Sequence, residues 1–520
     1  MASDWDELID ELRRRRAKAQ QHGGEAAVTR LHERGKLTAR ERVEGLVDQD
    51  SFHELGVFAE GYVANPGDAP RAVPADAVVT GWGKIDGRPV VISSDDGSIM
   101  GGAGSILNVE KRFRMRRIAV EQANPYIGLY EGSAIRFQDS MDAAIMARIP
   151  AFEPISACAG VVPQVAAVLG PCFGRPPFDV LYSDLAIMVR KTGFIGLSGP
   201  TLVRGGTGED VDIEALAGPK MHADTTGLID VVVNDEAACL ATIREFLSYM
   251  PSSAWEAPPV RPSQDSTDRL CPELMDLVPT NLRKPYDTHR VIASIVDDGK
   301  TFEYKSSFGK SLVTCLARIG GRSVGLIASQ PKQRGGVLDW AASLKGRRFV
   351  SLCNNFHIPL VFLQDQPGFL PGTESEAANI LYWAATFVVA VQKATVPKIA
   401  IVLRKSHGAA MWAMGSDGEY EGGADIIAAW PTVIMTGTGP SSAVFTVHAK
   451  ELERSANPEK LRQELEAKYS ATGSVYRGAA TFGVHEIIEP QDTRRFLAAT
   501  LELACQKLAR APRPKPQLFP

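Results

Sequence analysis

Gly408-Ala409-Ala410 stands between a buried apolar run, Ile399 to Leu403, and Met411-Trp412-Ala413-Met414, whose residue types suit a helix start. The first N–H groups of a helix have no partner within it. Where only Gly and Ala precede the helix, a ligand oxygen can approach those donors without meeting a side chain. Such a site stabilises negative charge developing on oxygen, and losing one donor typically costs on the order of 10²–10³ in rate. Gly170-Pro171-Cys172-Phe173-Gly174 forms a second turn of the same design. Either turn alone is also explained by close helix–strand packing. The pair points to two substrates whose carbonyl oxygens both take up charge. No P-loop, GxSxG elbow, HExxH helix or suitably placed GxGxxG competes with this reading.

The elements that must position these turns recur at one offset. Gly101-Gly102 and Gly335-Gly336, Pro125 and Pro359, Pro163 and Pro397, and Gly174 and Gly408 are each 234 residues apart. A fixed offset in matching apolar contexts is the mark of an internal duplication. Each half alternates apolar strands, basic helices (109–123 and 344–356) and Gly-rich turns, which predicts layered α/β domains. The strand from Ile399 is expected to stop at Arg404-Lys405 and to turn through Ser406-His407-Gly408. Seven prolines in 251–285 mark an extended interdomain segment. The expected domains are therefore 51–250 and 286–520. A helical segment, 1–50, precedes them, with early acids, late arginines and Ser3 as its N-cap. Its four consecutive arginines read as a solvated helix face.

A chain of 520 residues exceeds one ordinary core, so two or three domains are expected. A net charge of −4 gives no footprint for nucleic acid. The start carries acids and no apolar signal core, and no 18-residue apolar run suggests a membrane span. Seven scattered cysteines with no CxxC pair exclude a conventional zinc ribbon and fit a reducing compartment. The expectation is a soluble cytoplasmic protein with no metal, membrane or nucleic-acid partner.

Five strings, in this order, carry a family resemblance: "RLHERGKLTARERVEGLVDQDSFHELG", "GPKMHADTTGLIDVVVNDEAACL", "GGVLDWAASLKGRRFVSLCNNFHIPLVFLQDQPGFLPGT", "AWPTVIMTG" and "GAATFGVHEIIEPQDTRRFL". Over nearly its whole length the chain resembles the carboxyltransferase (β) subunits of biotin-dependent acyl-CoA carboxylases, such as propionyl-CoA carboxylase. The resemblance implies two duplicated crotonase-like (ClpP/crotonase) domains. It implies a homohexamer with active sites between the N-terminal domain of one subunit and the C-terminal domain of another. Acyl-CoA would bind the first domain and carboxybiotin, on a swinging carrier, the second. The first hole would hold the thioester oxygen as the α-carbon loses its proton. The second would stabilise the biotin ureido oxygen after CO₂ leaves, so no side-chain base is needed.

Carried over by position, the biotin-side hole falls on Ala409 and Ala410, with Gly408, Gly368 and Phe369 as further biotin contacts. The acyl-side hole falls on Gly174 and Arg175, with Trp412, Arg136, Lys220, Gly101 and Gly102 as substrate contacts. No biotinylated Met-Lys-Met segment or ATP-binding carboxylase domain is visible. Biotin is therefore expected on a separate biotin carboxylase and biotin carboxyl carrier partner.

The chain departs from the family pattern at three places. "GPCFGRPPFDVL" replaces the usual "GPCAGGAVYSPA", so Arg175 stands for a glycine and Pro176-Pro177 remove two backbone donors. "EGSAIRFQDS", from Glu131, loses the paired glycines of "DSGGARIQEG" but keeps Arg136 and Gln138. Trp412 stands where an acyl-pocket Asp is common. Three functions remain open. One is a carboxyltransferase for a non-standard acyl-CoA, with Arg175 pairing to a substrate carboxylate or a CoA phosphate. The second is a decarboxylase or transcarboxylase using the same holes, and the third a non-catalytic subunit of a mixed complex. Glu131 and Asp365 are equivalent carboxylates, either catalytic or capping. Arg404-Lys405 would reach CoA phosphates or simply solvate a turn. His222 and His407 are too isolated to form a metal site.

Overall fold

The computed structural model describes residues 4–63, 69, 71–132, 135–148, 153–416, 422–509 and 512–515. The chain divides into two compact units, one ending at Trp255 and the other beginning at Glu256. In the first, seven strands lie side by side in the order His53–Leu55, Val78–Ile85, Arg88–Asp95, Tyr126–Tyr130, Gln164–Val168, Leu185–Val189 and Val231–Val233. The first three are antiparallel and the rest parallel.

The second unit repeats this order with Thr301–Glu303, Leu312–Ile319, Arg322–Ser329, Leu360–Gln366, Lys398–His407, Ile426–Ala429 and Glu486–Ile487. An eighth strand, Ile434–Thr436, pairs with the end of Lys398–His407, as Phe194–Gly196 pairs with Pro171–Phe173 in the first unit. Parallel strands need helical crossovers, and burial on both faces explains their continuous apolar runs. Ile399, Ile401 and Leu403 share one core with Val361, Leu363 and Leu326.

The 234-residue offset extends to whole elements. It carries Val78–Ile85 onto Leu312–Ile319, Arg88–Asp95 onto Arg322–Ser329, and the helix Ile106–Glu121 onto Trp340–Asn355. The strand starts Tyr126 and Gln164 map onto Leu360 and Lys398, and the helix start Pro176 onto Ala410. The duplication is therefore structural as well as sequential. Beyond Trp412 the offset changes: the next matched strand starts, Leu185 and Ile426, are 241 residues apart.

The strand from Lys398 does not stop at the basic pair; it continues through Arg404 and Lys405 to His407. Arg404 is fully buried because its guanidinium has partners in place of water. It donates to Asp365 at 2.8 Å and to the carbonyls of Pro279, Asn281 and Lys284 at 2.9–3.0 Å. The ladder to Ile434–Thr436 keeps the backbone extended to His407. The chain turns only at Gly408, whose φ of 63° favours glycine.

The N-terminal helix spans Asp4–Ala19 with no buried residue, so its arginines are solvated; Ser3 lies outside the described residues. Residues from Glu256 to 285 group with the second unit, where Cys271, Leu274 and Val278 enter its core. Among the described residues no helix is long and apolar enough to cross a membrane.

Candidate active site

The ends of the parallel strands converge on Gly408. Gln364 Nε2 donates to Ser406 Oγ at 2.9 Å, and Gln366 Nε2 donates to the His407 carbonyl at 3.3 Å. The Gly408 N–H donates to the Thr436 carbonyl at 3.0 Å, pinning the turn. Met411 and Trp412 then close a single helical turn, Ala410–Ala413, by donating to the carbonyls of Gly408 and Ala409. The N–H groups of Ala409 and Ala410 donate to no acceptor among the described residues. Two adjacent backbone donors thus share a turn whose own side chains are methyl groups.

Gly335 lies beside this turn, its carbonyl accepting from Lys405 Nζ at 3.4 Å. Gly368 accepts from the Leu338 N–H at 3.0 Å, and Phe369 forms a bridge with Leu338. Trp412, on the following turn, is 40% exposed.

His407 has a defined tautomer. Thr436 Oγ1 donates to the Thr438 carbonyl at 2.7 Å, so the 2.8 Å contact with His407 Nδ1 requires that Nδ1 carry the proton. Burial, reinforced by the nearby Lys405 charge, pushes the His407 pKa down to about 4. Because the folded pKa lies below the unfolded one, the unfolded chain binds the extra proton as pH falls. This histidine's contribution is complete above pH ~6.5 and is lost progressively towards pH ~4, at roughly 1.4 kcal/mol per unit. His407→Phe, which copies its counterpart Phe173, is expected to remove that acid-sensitive component. Unfolding titrations at pH 4.5 and 7.5 check it: an equal acid penalty in both proteins contradicts the assignment.

In the first unit the same hydrogen bonds recur around a different sequence. Gly174 (φ 78°) donates its N–H to the Leu197 carbonyl at 3.0 Å, as Gly408 does to Thr436. Phe178 donates to the Arg175 carbonyl at 3.0 Å, as Trp412 does to Ala409. Arg175 and Pro176 therefore occupy the places of Ala409 and Ala410. Pro176 has no N–H, so the second donor of the pair is missing on this side. Proline is well suited to the first positions of a helix, and Pro176–Leu181 is helical. The Gly174 amide is committed within the turn.

The Arg175 side chain folds inward, its guanidinium 4.7 Å from the Phe113 ring centre and 3.7 Å from Asp179. Burial lowers its pKa and Asp179 opposes that shift. Gly102 (φ 79°) packs so tightly on the Glu131 carbonyl that a Cβ would collide with it. Gly102, Gly104, Arg175 and Pro176 line one cavity of about 30 Å³ together with Asp95, Ser105, Asn108, Arg112 and Asp179. Gly101 precedes this wall on the same turn. Arg136 is not on it: it is buried and paired to Asp76 and Asp139, each at 2.9 Å. Lys220 is exposed at the start of the short turn Lys220–Thr225.

Glu131 and Asp365 are neither caps nor free carboxylates. Glu131 pairs with Lys36 and Arg42, and Arg42 also pairs with Glu236 at 2.6 Å. Asp365 pairs with Arg404 and, at 3.3 Å, with Lys405. The basic pair of the second unit is thus structural. Sequence reading also missed Lys111 and Lys345, buried lysines at the duplication offset. Lys111 Nζ donates to the carbonyls of Ala75 and Val78, and Lys345 Nζ to that of Phe308. Burial brings their pKa values down to about 8 and about 7. Matching residue types, as well as Gly and Pro, at the offset would have found them. His222 contacts Thr226, and no group of three or more His, Cys, Asp or Glu among the described residues is placed to hold a metal.

Residues 30–519 match the family model of the carboxyl transferase domain. The chain is 35% identical over 503 residues to the propionyl-CoA carboxylase carboxyltransferase subunit of Haloferax mediterranei, covering 96% of this chain and 97% of that one. It is 35% identical over 508 residues to the methylmalonyl-CoA decarboxylase α subunit of Veillonella parvula, covering 98% of each. Transcarboxylase 12S, solved as a hexamer with methylmalonyl-coenzyme A and methylmalonic acid bound, matches with a TM-score of 0.91 at 35% identity, covering 100% of this chain and 99% of that one.

Proposed function

This chain belongs to the carboxyl transferase domain family, with a crotonase-like fold, and from that premise we propose that it moves a carboxyl group between carboxybiotin and the α-carbon of an acyl-CoA. The observation that carries the reading is the pair of adjacent N–H donors at Ala409 and Ala410 with no acceptor among the described residues. A ureido carbonyl oxygen fits them, since it needs donors and no bulky side chain. Biotin, borne on a separate carrier protein, supplies the carboxyl group when bound. Ala409 and Ala410 hold its oxygen, and Gly408, Gly368 and Phe369 shape the approach.

On the acyl side, Arg175 occupies the first donor position, and its guanidinium adds positive charge beside the thioester oxygen. Glu131 and Asp365 are held in ion pairs, so neither is available to take the α-proton. In this reading, as the family resemblance implies, the proton leaves towards the biotin side. The assembly this requires is a homohexamer with a biotin carboxylase and biotin carboxyl carrier partner in the cytoplasm; the hexameric transcarboxylase 12S supports it.

Decarboxylation or transcarboxylation on the same holes is the second reading. It is favoured by equal identity to a carboxylase subunit, a decarboxylase subunit and a transcarboxylase. An intact donor pair at Ala409 and Ala410 argues against a purely structural subunit. The test supplies a biotinylated carrier, carboxylated with ATP and labelled bicarbonate, together with a panel of acyl-CoAs. Label passing to an acid-stable acyl-CoA product only when this chain is added is the expected result. A labelled carrier that transfers to no acyl-CoA would refute the forward reaction.

A further inference from the structure

Two fully buried glutamines of the strand Leu360–Gln366 hold the Gly408 turn from its two ends. Gln366 Nε2 donates to the His407 carbonyl at 3.3 Å. A carbonyl oxygen only accepts, so the amide nitrogen is the atom that faces it. The N–H of the same peptide unit, that of Gly408, donates to the Thr436 carbonyl at 3.0 Å. A trans peptide is planar with its C=O and N–H on opposite edges, so the two bonds together fix its rotation. Gln364 acts beyond the turn. Ser416 Oγ donates to Gln364 Oε1 at 2.6 Å, and the Ser416 N–H donates to the Met411 carbonyl at 2.9 Å.

The Gln366 bond is not needed to build a turn of this kind. The 234-residue offset carries Gly132 onto Gln366, and a Cβ on Gly132 would collide with the Gly102 carbonyl. The Gly174 turn keeps its N–H on the Leu197 carbonyl with no side chain at that place. Packing does not call for Gln366 either: its Oε1 is buried and accepts no hydrogen bond among the described residues. An unpaired buried amide oxygen is costly, and an apolar side chain of the same length would avoid that cost. What the amide adds is control of a flexible point. Gly408, at φ 63° and without a Cβ, directly precedes the N–H groups of Ala409 and Ala410. Any freedom of the His407–Gly408 peptide is passed on to the direction of those donors.

We propose that Gln366 is a positioning residue for the Ala409 and Ala410 donors, acting through the His407 carbonyl. The inference rests on the carboxyltransferase reading and assigns a further residue to that reaction. Donors that are poorly aimed stabilise the charge of the transition state less, so the loss falls on kcat rather than on substrate binding.

The experiment measures biotin-dependent decarboxylation of methylmalonyl-CoA from about pH 6 to about pH 8.5. It compares the full wild-type chain with Gln366→Met and Gln366→Glu, each beside a thermal melt. Gln366→Met keeps the side-chain length and removes the donor. Its kcat is expected to fall about tenfold to 10²-fold at every pH, with KM for methylmalonyl-CoA within about twofold of wild type. Gln366→Glu donates to the carbonyl only while the introduced carboxyl is protonated. Its kcat should approach wild type at low pH and fall as the pH rises, which a packing role would not produce. Asp365, Lys405 and His407, the titratable groups adjoining Gln366 on its own strand and the paired one, are present in wild type too and cancel in the ratio of the two proteins. Gln366→Met within about threefold of wild type, or equal losses in both variants at every pH, overturns the proposal. A crystal structure of Gln366→Met gives a readout apart from activity: the His407–Gly408 peptide is expected in a changed or mixed orientation, and an unmoved peptide contradicts the role. A wild type without biotin-dependent turnover removes the carboxyltransferase reading while the peptide orientation still tests Gln366. Full turnover in Gln366→Met removes this inference alone.

Discussion

Ala410→Pro is expected to lower kcat by on the order of 10²–10³ while leaving the fold intact. The substitution deletes one N–H that has no acceptor within the described protein, so folding loses no hydrogen bond. Its backbone cost is small because the first unit already places Pro176 at the equivalent helix start, after a residue in the right-handed helical region. Ala409, with φ −60° and ψ −17°, is in that region too. The loss corresponds to roughly 2.7–4 kcal/mol of transition-state stabilisation, the scale measured for a single oxyanion donor. Steady-state kinetics beside a thermal melt check it. Activity within about threefold of wild type would mean that the Ala410 amide does not face the reacting oxygen; Ala410→Gly, which keeps the donor, should stay near wild type.

Arg404→Met should destabilise the second unit by about 3–5 kcal/mol, because it strands Asp365 as a buried charge. Arg404 and Asp365 are both fully buried, and the guanidinium also satisfies three carbonyls of the segment 279–284. Lys405 remains within 3.3 Å of Asp365 and offsets part of the loss. Urea denaturation of the full chain, followed on a probe in the second unit, provides the readout. Arg404→Met with Asp365→Leu should recover part of the stability, since removing both charges ends the desolvation penalty. A single variant within about 1 kcal/mol of wild type would show that the pair carries little of the unit's stability.

The duplicated halves were legible in the sequence because Gly and Pro report backbone demands that survive divergence. Gly102 and Gly336 keep positive φ and face a carbonyl at the end of a neighbouring strand in both units. The end of the strand from Lys398 was not legible. Arg404-Lys405 looks like a polar stop until Asp365 and the 279–284 carbonyls are known to lie against it. Those partners are distant in sequence and met only through the fold.

At the Gly408 turn the residue types already point to bare backbone, since Ala409 and Ala410 add only methyl groups after Gly408. The counterpart turn was harder. Carried over by position from the family resemblance, the expected acyl-side donors fall on Gly174 and Arg175. Matching by hydrogen bonds shows Gly174 N–H committed to Leu197 and sets Pro176 opposite Ala410. The buried arginines around Asp95 and Asp179 were not legible for a related reason: Arg112 and Arg116 sit in a helix whose sequence shows only that it is basic. Only the packed structure shows which of its cations turn inward.

The most direct test of the central claim incubates the purified chain with methylmalonyl-CoA labelled in its free carboxyl group, with and without free biotin. The account predicts loss of label only when biotin is present, and a matching collapse of that loss in Ala410→Pro. Decarboxylation that proceeds equally without biotin would contradict it.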